Sequence, residues 1–409
     1  MAIGDIIVGV DIGSSHIRTI VGEINNFNQI EIMCNTSSKC SGMKKGQIIS
    51  EDEIAETIAK TIKDAEEQTN LKINSAYTMI PGKYITIVQN SIVKEVKDKF
   101  AGISSKDVSS SIIQVKDIET PENMTIIDVL PEKFVLDNGT SVEDPIGNLS
   151  SSFTLKAQII LAEKEYIKQA VNIFRKAGLE IDGFVPFALA QRNVVLDSNE
   201  LNDRILLLDI GAGTTEIGLF NESSFEYTNT IPLGGDNITN DIALVLNISE
   251  EEADKLKRQY SLALKSFIDN DTDIILNTYK GNSRSRSIKS SELVEIIEAR
   301  IEEIFTLVNR DITAKGLKQQ INNVVLTGLG ISSINKSDMA GKIILNIPVK
   351  FATGRGISQV NQEYRTVYSL IKYISTKPFI RTISSNVDVK TEKHLIKDVM
   401  EKVKDFFYS

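Results

Sequence analysis

Residues 6–12 form a short apolar run closed by Gly13, the pattern of a buried strand. After a turn, residues 17–24 predict a second strand, 25–28 a polar turn and 30–34 a third strand, so the chain opens as a β-meander. The period then changes. Ser50 reads as a helix N-cap with Glu53 as its reciprocal partner, and Ile54, Ile58, Ile62 and Ala65 fall on one helical face. Residues 76–80 predict a strand ended by Pro81-Gly82. About half the chain later the pattern restarts. Residues 204–210 form a strand ended by Gly211, with 216–220 as its return and 225–231 as a third. Two strand–turn–strand–strand units of one design imply an internal duplication.

The stretch 83–159 has a different texture. Strand-like runs at 84–88, 125–130 and 133–136 surround one helical segment, 105–113, and read as a small inserted α/β unit. A strand at 156–162 and a helix at 165–177 follow, with Gly178 where a helix C-terminus favours glycine. Helices are predicted at 249–260, capped by Ser249 with Glu252, at 290–309 and at 363–374. Residues 324–331 are an apolar strand running into Gly328-Leu329-Gly330. Residues 375–390 are polar and irregular and read as a linker.

Composition narrows the class. A length of 409 residues allows two or three domains, and 41% hydrophobic with 25% charged residues is globular usage. A net charge of −9 argues against general nucleic-acid binding, which needs a basic surface to displace counterions. The two cysteines, Cys34 and Cys40, lack the second ligand pair of a zinc site and read as reduced thiols. The two histidines, His16 and His394, have no serine or cysteine partner nearby in sequence, which disfavours a triad hydrolase. No run of about 18 apolar residues spans a membrane. The N-terminus enters its first strand without the basic segment and cleavage site of a secretory leader, so the expectation is a cytosolic chain or one held at a membrane surface.

The chemistry lies in the two strand ends. The first turn is Asp11-Ile-Gly-Ser-Ser-His16 and the second Asp209-Ile-Gly-Ala-Gly-Thr-Thr215. Glycine lets backbone approach a polyphosphate, and hydroxyls with successive N–H groups make an anion-binding concavity. An aspartate at each strand end is placed to hold Mg²⁺ through water. Arg18 is placed to return to the phosphates, and the 328–330 glycine turn suits an adenosine. One such turn alone reads equally well as an ordinary hairpin; two at the ends of repeated strands point to ATP.

The combination resembles the actin superfamily. Over nearly the whole chain the finer resemblance is to the bacterial cell-division protein FtsA. It is carried by GVDIGSSHIR (9–18), SGMKKG (41–46), LPEKFV (130–135), DPIG (144–147), LLDIGAGTT (207–215), IPLGGDNITND (231–241) and LTGLG (326–330). The resemblance implies an α/β chain with a duplicated actin-like (ribonuclease H-like) ATPase fold and an inserted α/β subdomain 1C. The implied divisions are 1–82 with 160–203 as subdomain 1A, 83–159 as 1C, 204–223 with 311–374 as 2A, and 224–310 as 2B. A linker at 375–390 and a terminal helix at 391–409 complete them.

Carried over by residue, the family implies a first phosphate loop of Asp11, Gly13, Ser14 and Ser15. Asp209, Gly211, Gly213, Thr214 and Thr215 form a second, Gly234, Gly235 and Asp236 line the cleft, and Gly328, Leu329 and Gly330 flank the adenosine. Asp254 and Lys257 match an acidic-x-x-Lys pattern near base and ribose; by spacing alone they read as a solvated helix face. His16, Ala212, Leu329 and Ser369 depart from the usual residues of the pattern. No residue identifies itself as a catalytic base, so the chain reads as an ATP-binding switch with weak hydrolysis at most. Gln191, on the crossover between halves, lies where related folds position a water.

In 391–409 the apolar residues Leu395, Ile396, Val399, Met400, Val403, Phe406 and Phe407 draw one helical face, with four lysines against four acids on the rest. That pattern fits a membrane-surface helix or a helix docked on the body, and FtsA-like proteins end in the former way. The implied function is an adaptor that binds ATP and Mg²⁺ and self-associates into actin-like filaments. It sits on the cytoplasmic face of the membrane at the division septum and holds the C-terminal peptide of the tubulin-like protein FtsZ. Arg284, Arg286 and Lys289 are the basic cluster offered to that acidic peptide, or else a solvated loop. Alternatives are a PilM-type pilus-assembly adaptor, which generally lacks the terminal helix, and a small-molecule kinase, for which no acceptor-activating carboxylate stands out. An Hsp70-type chaperone needs a substrate domain beyond residue 374. The membrane reading predicts that a 391–409 peptide gains helicity on anionic vesicles and sediments with them; circular dichroism showing coil with and without vesicles would sink it.

Overall fold

The computed structural model describes residues 5–25, 29–97, 100–222, 224–276, 286–354, 356, 358 and 360–376. Its frame is one sheet design used twice. In the first sheet the antiparallel meander Asp5–Ile12, His16–Ile24 and Ile30–Lys39 is extended from its first strand by the parallel strands Ser75–Ile80 and Glu180–Pro186. In the second, the meander Arg204–Ile210, Thr215–Asn221 and Ser224–Ile231 is extended in the same sense by parallel Asn323–Thr327 and Val349–Phe351. The duplication seen in sequence is therefore a duplication of topology.

The leading strands read as unbroken apolar runs because both of their faces are covered. Leu206, Leu208 and Ile210 point into the core under helices Gly235–Leu246, Glu250–Gln259, Ser290–Ala314 and Ser337–Leu345. Ile205 and Leu207 point the other way, into a central core shared by both halves. Ile7 and Ile20 of the first sheet, Phe220, Phe225 and Val325 of the second, and helices Phe187–Val195 and Arg365–Ser375 build that core. Helices Glu51–Thr69 and Lys164–Lys176 cover the outer face of the first sheet. The cleft sits at the strand ends above the central core.

The insertion is a separate sheet in the order Ile85–Glu95, Ser152–Glu163, Met124–Leu136, Ser141–Val142, with helix Ser105–Gln114 and its own core. Two strands expected at 125–130 and 133–136 are one, continuing through Pro131 with a register shift between Pro131 and Lys133. Proline is tolerated at such an irregularity. The last inserted strand runs on to Glu163, past the boundary expected at 159.

Other expectations also shift. The strand expected at 30–34 continues to Lys39, because it pairs with His16–Ile24 along its full length, with one shift in register between Val21 and Gly22. Ser50 caps its helix, accepting from the Glu53 N–H at 3.3 Å, but the reciprocal bond is not made: the Glu53 carboxylate accepts the Ser41 hydroxyl at 2.7 Å. Helices 187–195, 235–246 and 337–345 carry no sequence start signal. Their N-caps are Pro186, Gly234 and Lys336, and none makes a side-chain cap bond.

Gln158 joins the inserted sheet to the second half. Its amide donates to Ser224 Oγ at 2.9 Å and to the Phe225 carbonyl at 3.0 Å, and its carbonyl accepts the Phe225 N–H at 2.9 Å. Gln158 is 1% exposed. Gln158→Leu keeps the shape but leaves both Phe225 backbone groups buried and unpaired, and is expected to cost about 2–4 kcal/mol of stability. Urea unfolding measures this; a loss below about 0.5 kcal/mol would show that the joint contributes little.

Candidate functional site

A cleft of about 370 Å³ opens where the two meander turns face each other. Asp11 pairs in register with Arg18 across the first hairpin, and Asp209 with Glu216 across the second. Each turn closes on itself: Gly13 N–H donates to His16 O at 3.1 Å, and Gly211 N–H to Thr214 O at 2.8 Å. The turns also touch each other, since a Cβ on Gly213 would lie 2.6 Å from Ser14 Oγ. Ser14 and Thr214 thus stand on opposite sides of one gap.

The adenosine-side glycines are required by packing between backbones. A Cβ on Gly330 would meet Gly211 O at 2.1 Å, and one on Gly235 would meet Gly330 Cα at 2.6 Å. The Gly235 N–H donates to Gly211 O at 2.9 Å and the Gly330 N–H to Ile210 O at 2.8 Å. The second phosphate turn, the start of helix 235–246 and the 328–330 turn therefore lock together as one rigid wall.

The floor is acidic and buried. Asp11, Asp209 and Glu216 are each under a tenth exposed. Burial pushes the Asp11 carboxyl up to about 6, against the pull of Arg18 and with a push from Asp209. Burial likewise raises Asp209 to about 6, opposed by the Gln191 hydrogen bond and by Arg365. Glu216 rises to about 7 by burial, although it accepts the Gly82 N–H at 2.9 Å and the Thr230 hydroxyl at 2.9 Å. His16 is lowered by burial and by Arg18, so its ring leans to the neutral form.

Most of the expected residues come together here. Asp11, Gly13, Ser14, Ser15 and Arg18 form one wall, and Asp209, Gly211, Gly213 and Thr214 the facing one. Gly235, Asp236, Asp254, Lys257, Leu329 and Gly330 line the far end. Three stand behind the lining. Thr215 is buried with its hydroxyl on Leu233 O at 2.9 Å, Gly234 packs against Gly211 O, and Gly328 takes a left-handed φ of 101° beneath Asp209. Lys257 is 6% exposed and reaches Asp254 at 2.9 Å and Thr239 Oγ1 at 2.6 Å, so the solvated-face reading of this pair does not hold. Gln191 donates to Asp209 Oδ2 and fixes that carboxylate.

Of the basic cluster, Arg286 is exposed and Lys289 pairs with Asp273 at 3.0 Å; Arg284 lies outside the described residues. So does the whole 391–409 segment with Leu395, Ile396, Val399, Met400, Val403, Phe406 and Phe407. Cys34 and Cys40 are buried free thiols, as expected of structural cysteines.

Sequence reasoning missed Glu216, which stands seven residues after Asp209 just as Arg18 stands seven after Asp11. The repeat was the available signal. It missed Arg365 as well, whose charge acts on Asp209. The site can hold a polyanion and a divalent cation. Paired hydroxyls and turn N–H groups face the gap, two carboxylates sit side by side, and the Arg18 Nε is buried without a partner. Among the described residues no group of three or more carboxylate, histidine or cysteine side chains forms a metal cage.

This repeated sheet around a cleft is the actin-like ATPase fold. The chain is similar in structure to the PilM–PilN type IV pilus biogenesis complex (TM-score 0.57, 13% identity, covering 91% of this chain and 99% of that one). It is similar also to MreB5 of Spiroplasma citri bound to ADP (TM-score 0.53, 13% identity, 93% and 98%). Family models narrow the class: residues 206–369 match the cell division protein FtsA, and 82–161 match the SHS2 domain inserted in FtsA. The cell division protein FtsA of Buchnera aphidicola subsp. Baizongia pistaciae is 30% identical over 356 residues, 84% of this chain and 83% of that one. That of Pseudomonas aeruginosa is 27% identical over 376 residues, 90% and 89%. The chain belongs to the FtsA family of bacterial cell-division proteins.

The buried acids make a signed prediction. Folded-state values raised to about 6 mean that the folded chain holds protons which the unfolded chain, titrating near 4, has released. Stability then falls as pH rises from about 4 to 7, and the deficit is full above 7. Asp209→Asn removes one such group. It is expected to stabilise the ligand-free chain by up to about 2–3 kcal/mol at pH 8 and by little at pH 4, measured by urea unfolding at both. A variant less stable than the parent at pH 8 would contradict it.

Proposed function

We propose that the cleft binds ATP with Mg²⁺, and that the nucleotide-bound chain self-associates as actin-like filaments and tethers FtsZ to the cytoplasmic membrane at the division septum. The single observation that carries the nucleotide reading is the opposition of the two turns, Ser14 against Thr214, over the paired carboxylates Asp11 and Asp209. MreB5, of the same fold, is described bound to ADP and to AMPPNP. FtsA family membership supports a place in cell division.

In this reading each residue has a plain task. Turn N–H groups and the Ser14, Ser15 and Thr214 hydroxyls hold phosphate oxygens, and Arg18 adds a cation. Asp11 and Asp209 hold the water shell of Mg²⁺, whose charge offsets their burial in the ionised form. Gln191 keeps Asp209 oriented. Lys257, bridged to Asp254 and Thr239, lies toward the ribose, and the 328–330 turn with Leu329 walls the base. Residues 391–409, folding as an amphipathic helix, bind the membrane, and Arg286, which is exposed, with its sequence neighbours Arg284 and Lys289 offers charge to an acidic FtsZ tail.

The test is reconstitution: the full chain, ATP, Mg²⁺, anionic vesicles and fluorescent FtsZ. FtsZ is expected on the vesicles only with ATP present and residues 391–409 intact, and Asp11→Ala is expected to lower recruitment at least fivefold. Vesicles that stay dark with the intact chain would overturn the adaptor reading.

A further inference from the structure

The short hairpin formed by Met43–Lys44 and Gln47–Ile48 has no role in the account above. Its turn residues Lys45 and Gly46 both take positive φ, 51° and 68°, the conformation of a tight two-residue hairpin turn. For lysine this is an uncommon backbone state, held here by its surroundings. The turn lies where the two phosphate turns meet. Gly46 lines the cleft, and its N–H donates to Ser14 Oγ at 3.3 Å. A Cβ on Gly46 would lie 2.6 Å from Thr214 Cγ2, and one on Gly213 would lie 3.3 Å from the Lys45 nitrogen. Three turns, from three separate parts of the chain, thus converge on one point.

That point lies between the two phosphate turns, and Gly46 shares the lining of the cleft with Leu329 and Gly330. In the nucleotide reading above, a phosphate held by the Ser14 and Thr214 turns would lie against it. Lys44 and Lys45 are both exposed beside Met43 and Gly46, which line the cleft together with Asp11, Asp209 and Glu216. The Ser14 hydroxyl already accepts from Gly46, so its own proton is free for a phosphate oxygen. Donating it would strengthen its acceptance from Gly46, because linked hydrogen bonds polarise one another.

The turn is also wired outward. Gly46 O accepts Lys83 Nζ at 3.2 Å, and that ammonium lies over the Tyr84 ring, 4.7 Å from its centre. Tyr84 stacks on Tyr166, a cleft residue, at 4.3 Å. The Lys83 N–H donates to Thr230 Oγ1 at 3.1 Å, and the neighbouring Gly82 N–H to Glu216. Ile85, two residues on, begins the inserted sheet.

We propose that the Lys45-Gly46 turn is a third phosphate-binding element, reading the terminal phosphate of a nucleoside triphosphate and passing its presence through Lys83 to the inserted sheet. This rests on the nucleotide reading of the cleft. A diphosphate ends one group short of the turn, so the element discriminates ATP from ADP.

The experiment uses the full chain with Mg²⁺ and fluorescent analogues of ATP and ADP, and hydrogen exchange over residues 85–95 in each state. Asn takes positive φ readily, so Lys45→Asn removes the charge and keeps the turn. It is expected to weaken ATP about five- to tenfold while changing ADP less than twofold, and Lys45→Arg to keep the preference. Lys83→Gln, compared with the parent at saturating concentrations of each nucleotide, is expected to erase the difference in exchange between the ATP and ADP states. Equal loss for both nucleotides in Lys45→Asn, or no loss, overturns the contact. An unchanged exchange difference in Lys83→Gln overturns the relay. Failure of the parent chain to bind either nucleotide overturns the cleft reading itself, a different result from any of these.

Discussion

Three carboxyl groups buried at the meeting point of the two halves set the terms for everything around them. Asp11, Asp209 and Glu216 sit under a tenth exposed in a floor made by hairpins from different halves. The Asp209 charge raises the proton affinity of both Asp11 and Glu216, and no lysine or arginine forms an ion pair with the three among the described residues. A fold carries such a cost where a ligand relieves it. The charge relief on hand is partial: Arg18 pulls on Asp11, Arg365 on Asp209 and Lys83 on Glu216, each at a distance. The protein's own groups thus leave the floor short of electrostatic balance, and the proposed cation with a polyphosphate would complete it.

Duplication explains why the cost falls where it does. Both hairpins place an aspartate at the strand end and a charged residue opposite it in register, but the second position differs: Arg18 in the first copy, Glu216 in the second. The pseudo-symmetry is therefore broken at one position. Arg18 stays with the cleft as a cation. Glu216 turns its carboxylate to Gly82 and Thr230, which ties the entry of the inserted sheet to the second half. In the nucleotide reading proposed above, one copy of the motif serves the ligand, and the other also serves the joint between halves.

Much of this was legible in the sequence. Apolar runs ending at glycine gave both meanders, because strands covered on two faces need no alternation. The helix face Ile54, Ile58, Ile62 and Ala65 is buried as its spacing demands. What escaped reading has physical causes. Helix Phe187–Val195 is short and almost wholly enclosed, so it shows neither amphipathic contrast nor a cap. Helix Gly235–Leu246 begins at a glycine pair whose identity is set by the close approach of Gly211 and Gly330, a contact no local pattern encodes. The strand through Pro131 reads as two because proline breaks a local strand pattern, while a shift in register lets the ladder continue. Glu53 satisfies the capping pattern, yet its carboxylate goes to Ser41, since a tertiary partner competes with the local one.

The joints between halves bear on how a cleft event travels. Gln158 bonds the inserted strand to Ser224 and Phe225, and Gly82 and Lys83 bond its entry to Glu216 and Thr230. The entry of the inserted sheet and the middle of its strand Ser152–Glu163 are therefore fastened to the second half, although the sheet is inserted in the first. A change in the angle between halves must either carry the sheet with the second half or break these bonds, several of them buried. Breaking costs about 1–3 kcal/mol for each group left unpaired. Moving the sheet costs no such bond, provided the bends at residues 81–84 and 163–164 absorb the rotation. The cheaper course makes the inserted sheet follow the second half, so cleft closure would appear at the surface as a displacement of the insertion relative to the first sheet.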